Sequence, residues 1–351
     1  MPYMELDKQK INPKKKPICS VCIANYNGIE VIDSAILSVM MQDCNFPIEI
    51  IVHDDSSSDG SVEYIHKKYP TVKIIQSTCN VGFCISNNRM VSAARGEFIL
   101  LLNNDAVLFK DAISTLYDKS RMLNNAGILS LNQYDYKTEE LIDRGILLDP
   151  FLNTVPNFKN SRLSNVSMAI GACLWIPKYL WEEIGGFPEW FHTLGEDMYI
   201  CCLARLMGYP IKIPENSGFL HMVGNSIGGG KVVNNRLSTR KARRALSERN
   251  KSFVMILIYP SPFFQVAILL HILLLLVEGF VLSLVKKDMD ILCSIYLTSL
   301  KAIWNERRRL YYLRRRIQSM RKITSQKFFA PFTFLPQKVV MLVKYGIPEI
   351  K

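Results

Sequence analysis

The nine residues Glu97–Asp105, with the sequence EFILLLNND, decide the fold class. Their apolar run, Phe98–Leu102, is too short for a helix and ends in three polar side chains, which is typical of a buried parallel strand whose carboxyl end opens into a site. Such a strand must be covered on both faces, so helices are expected on either side of it. Ligands of open α/β sheets bind at the carboxyl ends of the strands, so the site is expected at Asn103–Asp105.

Strand and helix patterns alternate on both sides of this stretch. The alternation predicts a βαβ series, and therefore an α/β fold with a largely parallel sheet and right-handed crossovers. The predicted strands of this series are Ile18–Ala24, Ile48–Val52, Val72–Ile75 and Ala126–Leu131, and the predicted helices are Ile29–Met41, one through Tyr64, one ending at Ala94 and Lys110–Leu123.

The periodicity fades between residues 132 and 165, where loops and an irregular hairpin are expected. Beyond this stretch the patterns of strand and helix return. The further predicted elements are a strand Met168–Ile176, a helix ending at Ile184, a helix Glu196–Met207, short extended segments Ile211–Ile213 and Gly218–His221, and a glycine-rich loop Asn225–Asn235.

Composition and cysteine usage indicate the compartment. The chain carries a formal charge of +12 and nine cysteines without a disulfide-like layout, and residues 1–17 read as a flexible basic arm rather than a signal peptide. A reducing cytoplasm is therefore expected. Cys19 and Cys22 lie inside an apolar strand with no second pair nearby, so core packing is their expected role, and a zinc or redox site is the minor alternative.

Carboxylates at strand and helix ends are the candidate functional groups. Asp105 follows the buried strand, where it would hold a hard divalent cation, and Asp54 ends a neighbouring strand, where it would accept hydrogen bonds from a base or ribose. Glu196 and Asp197 begin a helix whose dipole favours ionised carboxylates, and an ionised carboxylate is what a general base for an alcohol needs. Helix capping, or a turn role for Asp105, is the structural alternative.

The chain resembles glycosyltransferase family 2 in the order of its motifs. The blocks that carry the resemblance, over about residues 18–225, are ICSVCIANYNG, EIIVHDDSSSDGS, NVGFCISNN, ARGEFILLLNNDAVL, GACLWI, GGF and GEDMYICCLARLMGY, followed by His221. The resemblance implies the GT-A fold, a Rossmann-like mixed α/β domain over residues 18–235. Its nucleotide-binding half would be residues 18–131 and its acceptor half residues 132–235, and transfer would invert the anomeric centre.

The resemblance also assigns roles to particular residues. Asp197 corresponds to the catalytic base, Asp105 to the last residue of the DxD-type metal motif, and His221 to a histidine near the metal and diphosphate, with a structural histidine as the alternative. Mg²⁺ or Mn²⁺ is the implied cofactor, and a dTDP- or UDP-sugar the implied donor. The residues assigned to substrate binding are Ala24, Tyr26 and Asp54 for the nucleoside, Asn80, Gly82 and Asn88 for the donor pocket, and Asn103, Asn104 and Glu196 beside the metal and the base.

The mechanism implied by the resemblance is a single displacement. Asp197 takes the proton of the acceptor hydroxyl, which attacks the anomeric carbon from the face opposite the nucleotide, while the cation on Asp105 neutralises the departing diphosphate. The sequence departs from the family at Tyr199 and Leu203, where relatives have Asp and Arg, and at Pro188 after GGF, which leaves the acceptor unassigned. A non-catalytic sugar-nucleotide-binding or scaffolding subunit is the alternative, supported only by these departures.

Residues 236–351 are predicted to form a helical, membrane-associating region. Phe263–Val285 is almost wholly apolar, and residues 301–327 hold ten Lys or Arg against one acid, Glu306. Because the catalytic domain and this basic stretch should both stay cytoplasmic, a single span is disfavoured, and helices in or on the inner leaflet with anionic lipids as partners are expected. Nucleic-acid binding through the arginines and tyrosines of this stretch, or a solvated helix face, are the less favoured alternatives.

A looser resemblance concerns the arrangement of the whole chain. A family 2 core followed by an apolar segment and the helix KAIWNERRRLYYLRRRIQSMRK is similar to bacterial rhamnosyltransferase-like enzymes of surface polysaccharide assembly. It implies a deoxy-sugar donor such as dTDP-rhamnose and a polyprenyl-diphosphate-linked acceptor. The expected location is the cytoplasmic face of the inner or plasma membrane, as a peripheral or monotopic enzyme, and the sequence assigns no oligomeric state.

Overall fold

A computed structural model describes residues 16–158, 166–222, 229–233 and 236–350 of the chain. These residues form two compact units. The first unit runs to Ile146 and includes Pro156–Ala204 and Tyr209–Met222, and the second includes Leu147–Val155, Arg205–Gly208 and the described residues after Met222.

Strands and helices alternate over the first half of the chain, and helices predominate in the last third. The described strands are β1 (Cys19–Asn25), β2 (Ile48–Asp54), β3 (Lys73–Gln76), β4 (Phe98–Asn103), β5 (Ala106–Leu108), β6 (Ile128–Leu129), β7 (Asn132–Asp135), β8 (Leu141–Asp143), β9 (Ile146–Leu148), β10 (Thr154–Pro156), β11 (Cys173–Pro177), β12 (Ile211–Lys212), β13 (Gly218–His221), β14 (Gly229–Val233), β15 (Arg236–Thr239) and β16 (Glu349–Ile350). The described helices are α1 (Ile32–Met40), α2 (Ser61–Lys68), α3 (Phe83–Ala93), α4 (Ala112–Met122), α5 (Lys178–Ile184), α6 (Glu196–Leu206), α7 (Lys241–Ile258), α8 (Phe263–Lys286), α9 (Thr298–Asn305), α10 (Arg307–Ser319), α11 (Ser325–Phe329) and α12 (Gln337–Tyr345), with a 3₁₀ turn at Glu189–Phe191 and a π-helical turn at Leu292–Leu297.

A seven-stranded sheet forms the centre of the first unit, in the order β12-β6-β11-β4-β1-β2-β3. Strands β1 to β4 run parallel to one another, whereas β11 is antiparallel to both of its neighbours, β4 and β6. The predicted mixed, largely parallel sheet flanked by helices is therefore confirmed.

Burial on both faces explains why β1 and β4 are continuous apolar runs. No residue from Phe98 to Leu102 is more than 2% exposed. One face shares a core with the apolar stripes of α1, α2 and α4, and α3 lies against β1 and β2. Burial of both faces favours unbroken apolar strands over alternating ones.

Two of the predicted elements are wrong in part. The strand expected over Met168–Ile176 begins only at Cys173, because the backbone before it bonds elsewhere: Met168 bridges to Ile146, and Gly171 N donates to Asp197 Oδ2. The glycine-rich stretch expected to be a loop contains strand β14, which pairs with β15, and its remaining residues lie outside the described part of the chain.

A second sheet of the first unit has the order β5-β13-β7-β8. Strand β13 is antiparallel to β5 and parallel to β7, so His221 lies opposite Ala106 on one side and Asp135 on the other. The expected irregular hairpin corresponds to the antiparallel pair β7–β8, whose register shifts between Gln133 and Tyr134.

The second unit is mainly helical, and α8 is its apolar element. Among the described residues, α8 is the one helix long and apolar enough to cross a membrane by length and composition. Its inner side packs with Ile295 and Tyr296 of the π-helical turn in a small core. Gly279 is required there, since a Cβ would lie 2.7 Å from the Tyr296 ring.

A network of five charged side chains, centred on the buried Glu248, joins α7, α8 and α12. Lys338 Nζ lies 2.8 Å from Glu248 Oε1 and 2.6 Å from Glu278 Oε2, Arg244 Nη2 lies 2.6 Å from Glu278 Oε1, and Lys251 Nζ lies 2.9 Å from Glu248 Oε2. Burial alone would raise the pKa of Glu248, but the surrounding cations outweigh it and hold that pKa well below its usual range.

We expect Glu248→Gln to lower the free energy of unfolding of the second unit by about 3–5 kcal/mol, because it leaves the buried Lys251 without its carboxylate partner and Lys338 with Glu278 alone. The measurement is denaturant unfolding followed by circular dichroism. Because the folded-state pKa of Glu248 lies below the unfolded-state value, its stabilisation is present above the unfolded-state pKa and is lost as the pH falls through the folded-state pKa. The difference between wild type and variant should therefore shrink in acid.

The matched control is Asp290→Asn. This change removes an exposed carboxylate that lies 2.6 Å from Lys241 Nζ, and we expect it to alter stability much less than Glu248→Gln does, because solvent screens the pair. Equal effects of the two substitutions would mean that the buried network contributes little to the fold.

Candidate active site

The candidate site begins where β1, β2 and β4 end side by side. The register places Ala24 between His53 of β2 and Asn103 of β4, and Asn25 beside Asp54. Three of the residues expected at the site, Ala24, Asp54 and Asn103, are thus brought to one edge of the sheet, as the ends of parallel strands require.

A chain of side-chain hydrogen bonds crosses this edge. Asn104 Nδ2 donates to Asn25 Oδ1 at 3.0 Å, and Asn25 Nδ2 donates to Asp54 Oδ2 at 2.9 Å. Asp54 also accepts from Ser57 N and Ser57 Oγ, and it is 2% exposed. A Cβ at Gly28 would collide with the Asn25–Asn104 pair, so this turn has no room for a side chain. The chain of bonds fixes the polar tips relative to one another.

Asp55 positions the loop that contains Asn80 and Gly82. Its two carboxylate oxygens accept from Val81 N at 2.7 Å and Gly82 N at 2.9 Å, and it is 5% exposed. Asn80 itself is exposed, as is Tyr26 at 53%. Asp55 was not among the site residues predicted from the sequence. The Asp54–Asp55 doublet could have indicated it, since consecutive residues at a strand end point to opposite sides.

Asn88 holds a turn within the first unit. Its Nδ2 donates to Phe187 O at 2.9 Å, and its Oδ1 accepts from Phe187 N at 3.0 Å. A Cβ at Gly186 would lie 2.7 Å from the same Oδ1, which explains the glycine before Phe187. Both polar atoms of Asn88 therefore have a protein partner at the GGF turn.

Asp105 and His221 meet just beyond β4. Asp105 Oδ1 lies 3.2 Å from His221 Nε2, and both side chains are buried, at 6% and 10% exposure. Asn103 Nδ2 lies 3.4 Å from the same Nε2. Asp105 Oδ1 makes no hydrogen bond of acceptable geometry in spite of its burial. Strand β13 enforces the meeting, because Met222 N donates to Asp105 O.

Gln133 completes the surroundings of His221. Its Nε2 lies 2.9 Å from His221 Nδ1, while its Oε1 is buried without a hydrogen bond. If the Gln133 amide donates to His221 Nδ1, the imidazole of His221 carries its proton on Nε2. Rotation of the Gln133 amide by half a turn would let His221 Nδ1–H donate to Gln133 Oε1 and would free His221 Nε2 as a ligand. Nearby, burial raises the pKa of Asp143 to about 6, against the opposing effects of Gly145 N–H and His221. Sequence patterns gave no signal for Gln133.

Asp197 lies in the first turn of α6, directly after Glu196, which is buried. Its Oδ2 accepts from Gly171 N at 3.1 Å and its Oδ1 from Met198 N at 2.7 Å. The residue as a whole is partly exposed, while its carboxyl group lies deep enough that burial raises its pKa, with these backbone N–H groups acting in the opposite direction. A carboxylate with a raised pKa is a stronger base than an ordinary aspartate.

Two residues connect Asp197 to the end of β4. Gly171 N donates to Asp197 Oδ2, and the next residue, Ala172, accepts through its carbonyl from Asn103 N at 3.0 Å. The antiparallel pairing of Cys173 with Leu102 holds this segment at the strand tip. The candidate base and the Asp105–His221 pair are therefore parts of one hydrogen-bonded junction.

The donor atoms at this junction fit a divalent cation. Asp105 Oδ1 is a buried oxygen that lacks a hydrogen bond, and a second potential ligand, His221 Nε2, lies beside it. Among the described residues, no group of three His, Cys, Asp or Glu side chains forms a complete cage. A cation held here would take its other ligands from diphosphate oxygens and water, as Mg²⁺ and Mn²⁺ sites commonly do.

Relatives of known type match parts of the chain. A cholesterol galactosyltransferase of Borreliella burgdorferi is 30% identical over 172 residues, which cover 47% of this chain and 47% of the relative. A GalNAc(5)-diNAcBac-PP-undecaprenol beta-1,3-glucosyltransferase of Campylobacter jejuni is 32% identical over 108 residues, which cover 30% of this chain and 35% of the relative. The chain therefore spans about half or less of the length of these curated relatives.

The fold also matches solved structures. The structure of GalNAc-T7 with UDP, GalNAc and Mn²⁺ superposes with a TM-score of 0.58, at 14% identity, over 72% of this chain and 49% of that one. At this identity the likeness concerns the fold alone, and the expected GT-A-like architecture is confirmed. Residues 20–185 match the family described as Glycosyl transferase family 2. This stretch, just under half of the chain, is therefore similar to glycosyltransferase family 2.

Proposed function

We propose that the chain is an inverting, metal-dependent glycosyltransferase that moves a sugar from a nucleotide-sugar donor to a lipid-linked or polysaccharide acceptor in cell-surface glycan synthesis. The observation that carries the proposal is the junction at the tip of β4. There, Gly171–Ala172 bonds both Asp197 and Asn103, and the buried Asp105–His221 pair follows directly. A base and a cation seat on one edge of the sheet are what a single displacement requires.

Each group at the junction has a role in the proposed reaction. Asp197 takes the proton of the acceptor hydroxyl, and the N–H groups of Gly171 and Met198 hold its carboxylate in place. Asp105 and His221 would hold a divalent cation, which would supply positive charge to neutralise the departing diphosphate. Two sets of hydrogen bonds fix the loops that would face the nucleoside. One runs from Asn104 through Asn25 to Asp54, and in the other Asp55 accepts from Gly82 N.

The donor and acceptor are proposed by class. The similar fold of GalNAc-T7 was solved with UDP and Mn²⁺, which supports a nucleotide-sugar donor and a divalent cation here. The named relatives transfer galactose and glucose, which favours a hexose, while the looser resemblance favours rhamnose. The undecaprenol diphosphate in the name of the Campylobacter jejuni relative supports a lipid-linked acceptor.

We further propose that the enzyme works at the cytoplasmic face of the inner or plasma membrane. The apolar helix α8 and the basic stretch that follows it support membrane association. A non-catalytic sugar-nucleotide-binding subunit is the rival function. Consumption of a nucleotide sugar in the presence of membranes that carry lipid-linked glycans separates the two, because the rival would bind donor without consuming it. Thermal-shift screening of nucleotide sugars with Mn²⁺ identifies the donor first, since a ligand of the native state raises its apparent stability.

For Asp197→Asn, we expect transfer to fall by about 10²–10⁴-fold, since the acceptor hydroxyl loses its general base. Binding of UDP with Mn²⁺, measured by calorimetry, should be unchanged. The control is Asp118→Asn, which alters an exposed carboxylate on α4 and should leave both quantities as in wild type. Turnover close to wild type in Asp197→Asn would overturn the assignment of the base.

The raised pKa of Asp197 predicts two linked pH effects. Because the base must be ionised, kcat/KM should rise with pH along a limb that lies above the ordinary aspartate value of about 3.9. The folded state holds the Asp197 proton more tightly than the unfolded state, so ionisation above the unfolded-state pKa destabilises the fold. Asp197→Asn should therefore be more stable than wild type at neutral pH, with a difference that closes below about pH 4. A difference independent of pH would contradict this account.

We expect Asp105→Asn to remove the dependence of UDP binding on Mn²⁺, because the substitution takes the charge from the cation seat. Calorimetry with and without Mn²⁺ measures the effect, and circular dichroism verifies the fold. His221→Ala should act in the same direction, and Asp118→Asn serves again as the control. If Mn²⁺ strengthens UDP binding equally in wild type and in Asp105→Asn, the cation does not bind at Asp105.

A further inference from the structure

Helix α8 has two faces of opposite character. Its outward stripe, defined here as Val266, Leu269, Leu273, Val277, Phe280 and Leu284, recurs every three or four residues, and each member is at least 50% exposed. The opposite face carries the buried residues His271, Leu275, Gly279 and Leu282. A water-soluble unit rarely leaves so long an apolar stripe exposed, so the stripe indicates an interaction surface.

All the polar contacts of α8 within the helical unit lie on its inner side. His271 Nε2 lies 2.8 Å from Ser252 Oγ of α7, and Glu278 contacts Arg244 and Lys338, each at 2.6 Å. Further along, Ser283 Oγ accepts from Leu292 N at 2.9 Å. The outward stripe therefore contains no polar side chain, and the inner face packs against the rest of the helical unit.

The position of Glu278 argues against α8 as a transmembrane span. At a rise of 1.5 Å per residue, Glu278 lies about 12 Å from the last residue of the helix and about 22 Å from the first. In a span of a hydrocarbon core about 30 Å thick, Glu278 would lie deep in the lipid. Arg244, Glu248 and Lys338 are bonded into the same network and would have to enter with it, and buried charge in lipid is costly. An in-plane helix keeps the network on the protein side.

Helix α10 adds a charged stripe to the same unit. Its inner face is fixed to the last turn of α7: Arg314 Nη1 donates to Ile256 O at 2.6 Å, and Gln318 Nε2 donates to Leu257 O and Ile258 O. The stripe that remains outside, defined here as Arg308, Tyr311, Tyr312, Arg315 and Arg316, is exposed. Arginine with tyrosine is the combination that suits phosphate headgroups at a membrane interface.

The start of α8 lies against α10. The Arg314 guanidinium is 3.8 Å from the centroid of the Phe264 ring in the first turn of α8. Arg307 similarly covers the ring of Trp304, which is 67% exposed, at 4.3 Å. Basic and aromatic side chains therefore adjoin the apolar helix, and this charge selects an anionic lipid surface over a neutral one.

We propose that α8 lies in the plane of a bilayer with its outward stripe in the hydrocarbon of one leaflet, and that the outward stripe of α10 binds anionic phosphate headgroups. The occupant of this surface is an anionic lipid bilayer. The inference deepens the proposed membrane association and names its binding surface, but it does not depend on the reaction, the donor or the cation.

Flotation of the full chain with vesicles tests the lipid surface. The vesicles are phosphatidylcholine alone, or phosphatidylcholine with phosphatidylglycerol in equal parts. Wild type should bind the anionic vesicles better, and added salt should weaken that binding. Leu273→Glu should reduce binding to both kinds of vesicle, whereas Met122→Glu, at a 75% exposed position of α4, should not. Equal behaviour of the two glutamate variants would overturn the role of the stripe.

The charged stripe is tested with the pair Arg315→Gln and Arg316→Gln. Together they should weaken binding to anionic vesicles about tenfold or more and leave binding to neutral vesicles unchanged. The control pair is Arg121→Gln with Lys137→Gln, which removes two exposed charges of the first unit and should have no effect. If the arginine pair abolished RNA binding and left vesicle binding intact, or if Leu273→Glu converted a dimer into a monomer without affecting vesicle binding, the occupant would be a nucleic acid or a second copy.

Two native cysteines test the orientation of α8. Among the described residues, Cys79 in the first unit and Cys293 after α8 are the exposed cysteines. Membrane vesicles of both orientations from expressing cells are treated with a membrane-impermeant maleimide. An in-plane α8 predicts that both cysteines react in the same orientation, and a spanning α8 predicts that they react in opposite orientations, which would overturn the proposal. The labelling needs neither donor nor cation, so a failure of the proposed reaction leaves this result intact.

Discussion

The antiparallel pairing of β11 with β4 is the constraint on which the candidate site depends. Strands β1, β2 and β4 present polar tips by themselves, but they are all parallel and come from the first half of the chain. Because β11 runs the other way, its amino end lies at their carboxyl ends, and Cys173 pairs with Leu102. Gly171 and Ala172 are thereby held at the tip, where they bond the later α6 to the earlier β4.

Most polar groups at this edge hold other groups in position, and few are left for chemistry. Asp54 accepts three hydrogen bonds from its own surroundings, and Asp55 holds two backbone N–H groups. Asp105 differs, since one of its buried oxygens has no hydrogen bond. Asp197 differs as well, because burial raises its pKa. An unpaired buried oxygen and a raised pKa each carry an energetic cost, and such costs are common at active sites.

The sequence predicted the parallel core because its strands are buried on both faces, and unbroken apolar runs such as Phe98–Leu102 follow directly from that burial. It also located the polar strand ends, since residues that end parallel strands share an edge. It could not predict that β11 begins only at Cys173. The residues before Cys173 bond to Asp197 and Ile146, which are distant in the chain.

Other contacts between residues distant in the chain could not be predicted from the sequence either. Gln133 meets His221 across 88 positions, and no local pattern marks it. The role of His221 came from family resemblance alone, and those of Asp105 and Asp197 from strand and helix ends as well as from the resemblance. All three stay predictions, although the structure brings Asp105 and His221 within 3.2 Å. Periodicity reports which face of an element is buried, but it does not report which partner a polar group will find.

The charged network of the second unit has a consequence for the order in which the chain is made. Arg244 precedes Glu278, so this ion pair is available as soon as α8 leaves the ribosome, and the helix need not emerge with an unpaired carboxylate. Lys338 follows Glu278 by 60 positions, a delay of roughly 3–12 s at ordinary synthesis rates. During that interval the apolar helix exists without its last partner, and it meets the cell's lipids or chaperones before the chain itself can close over its inner side.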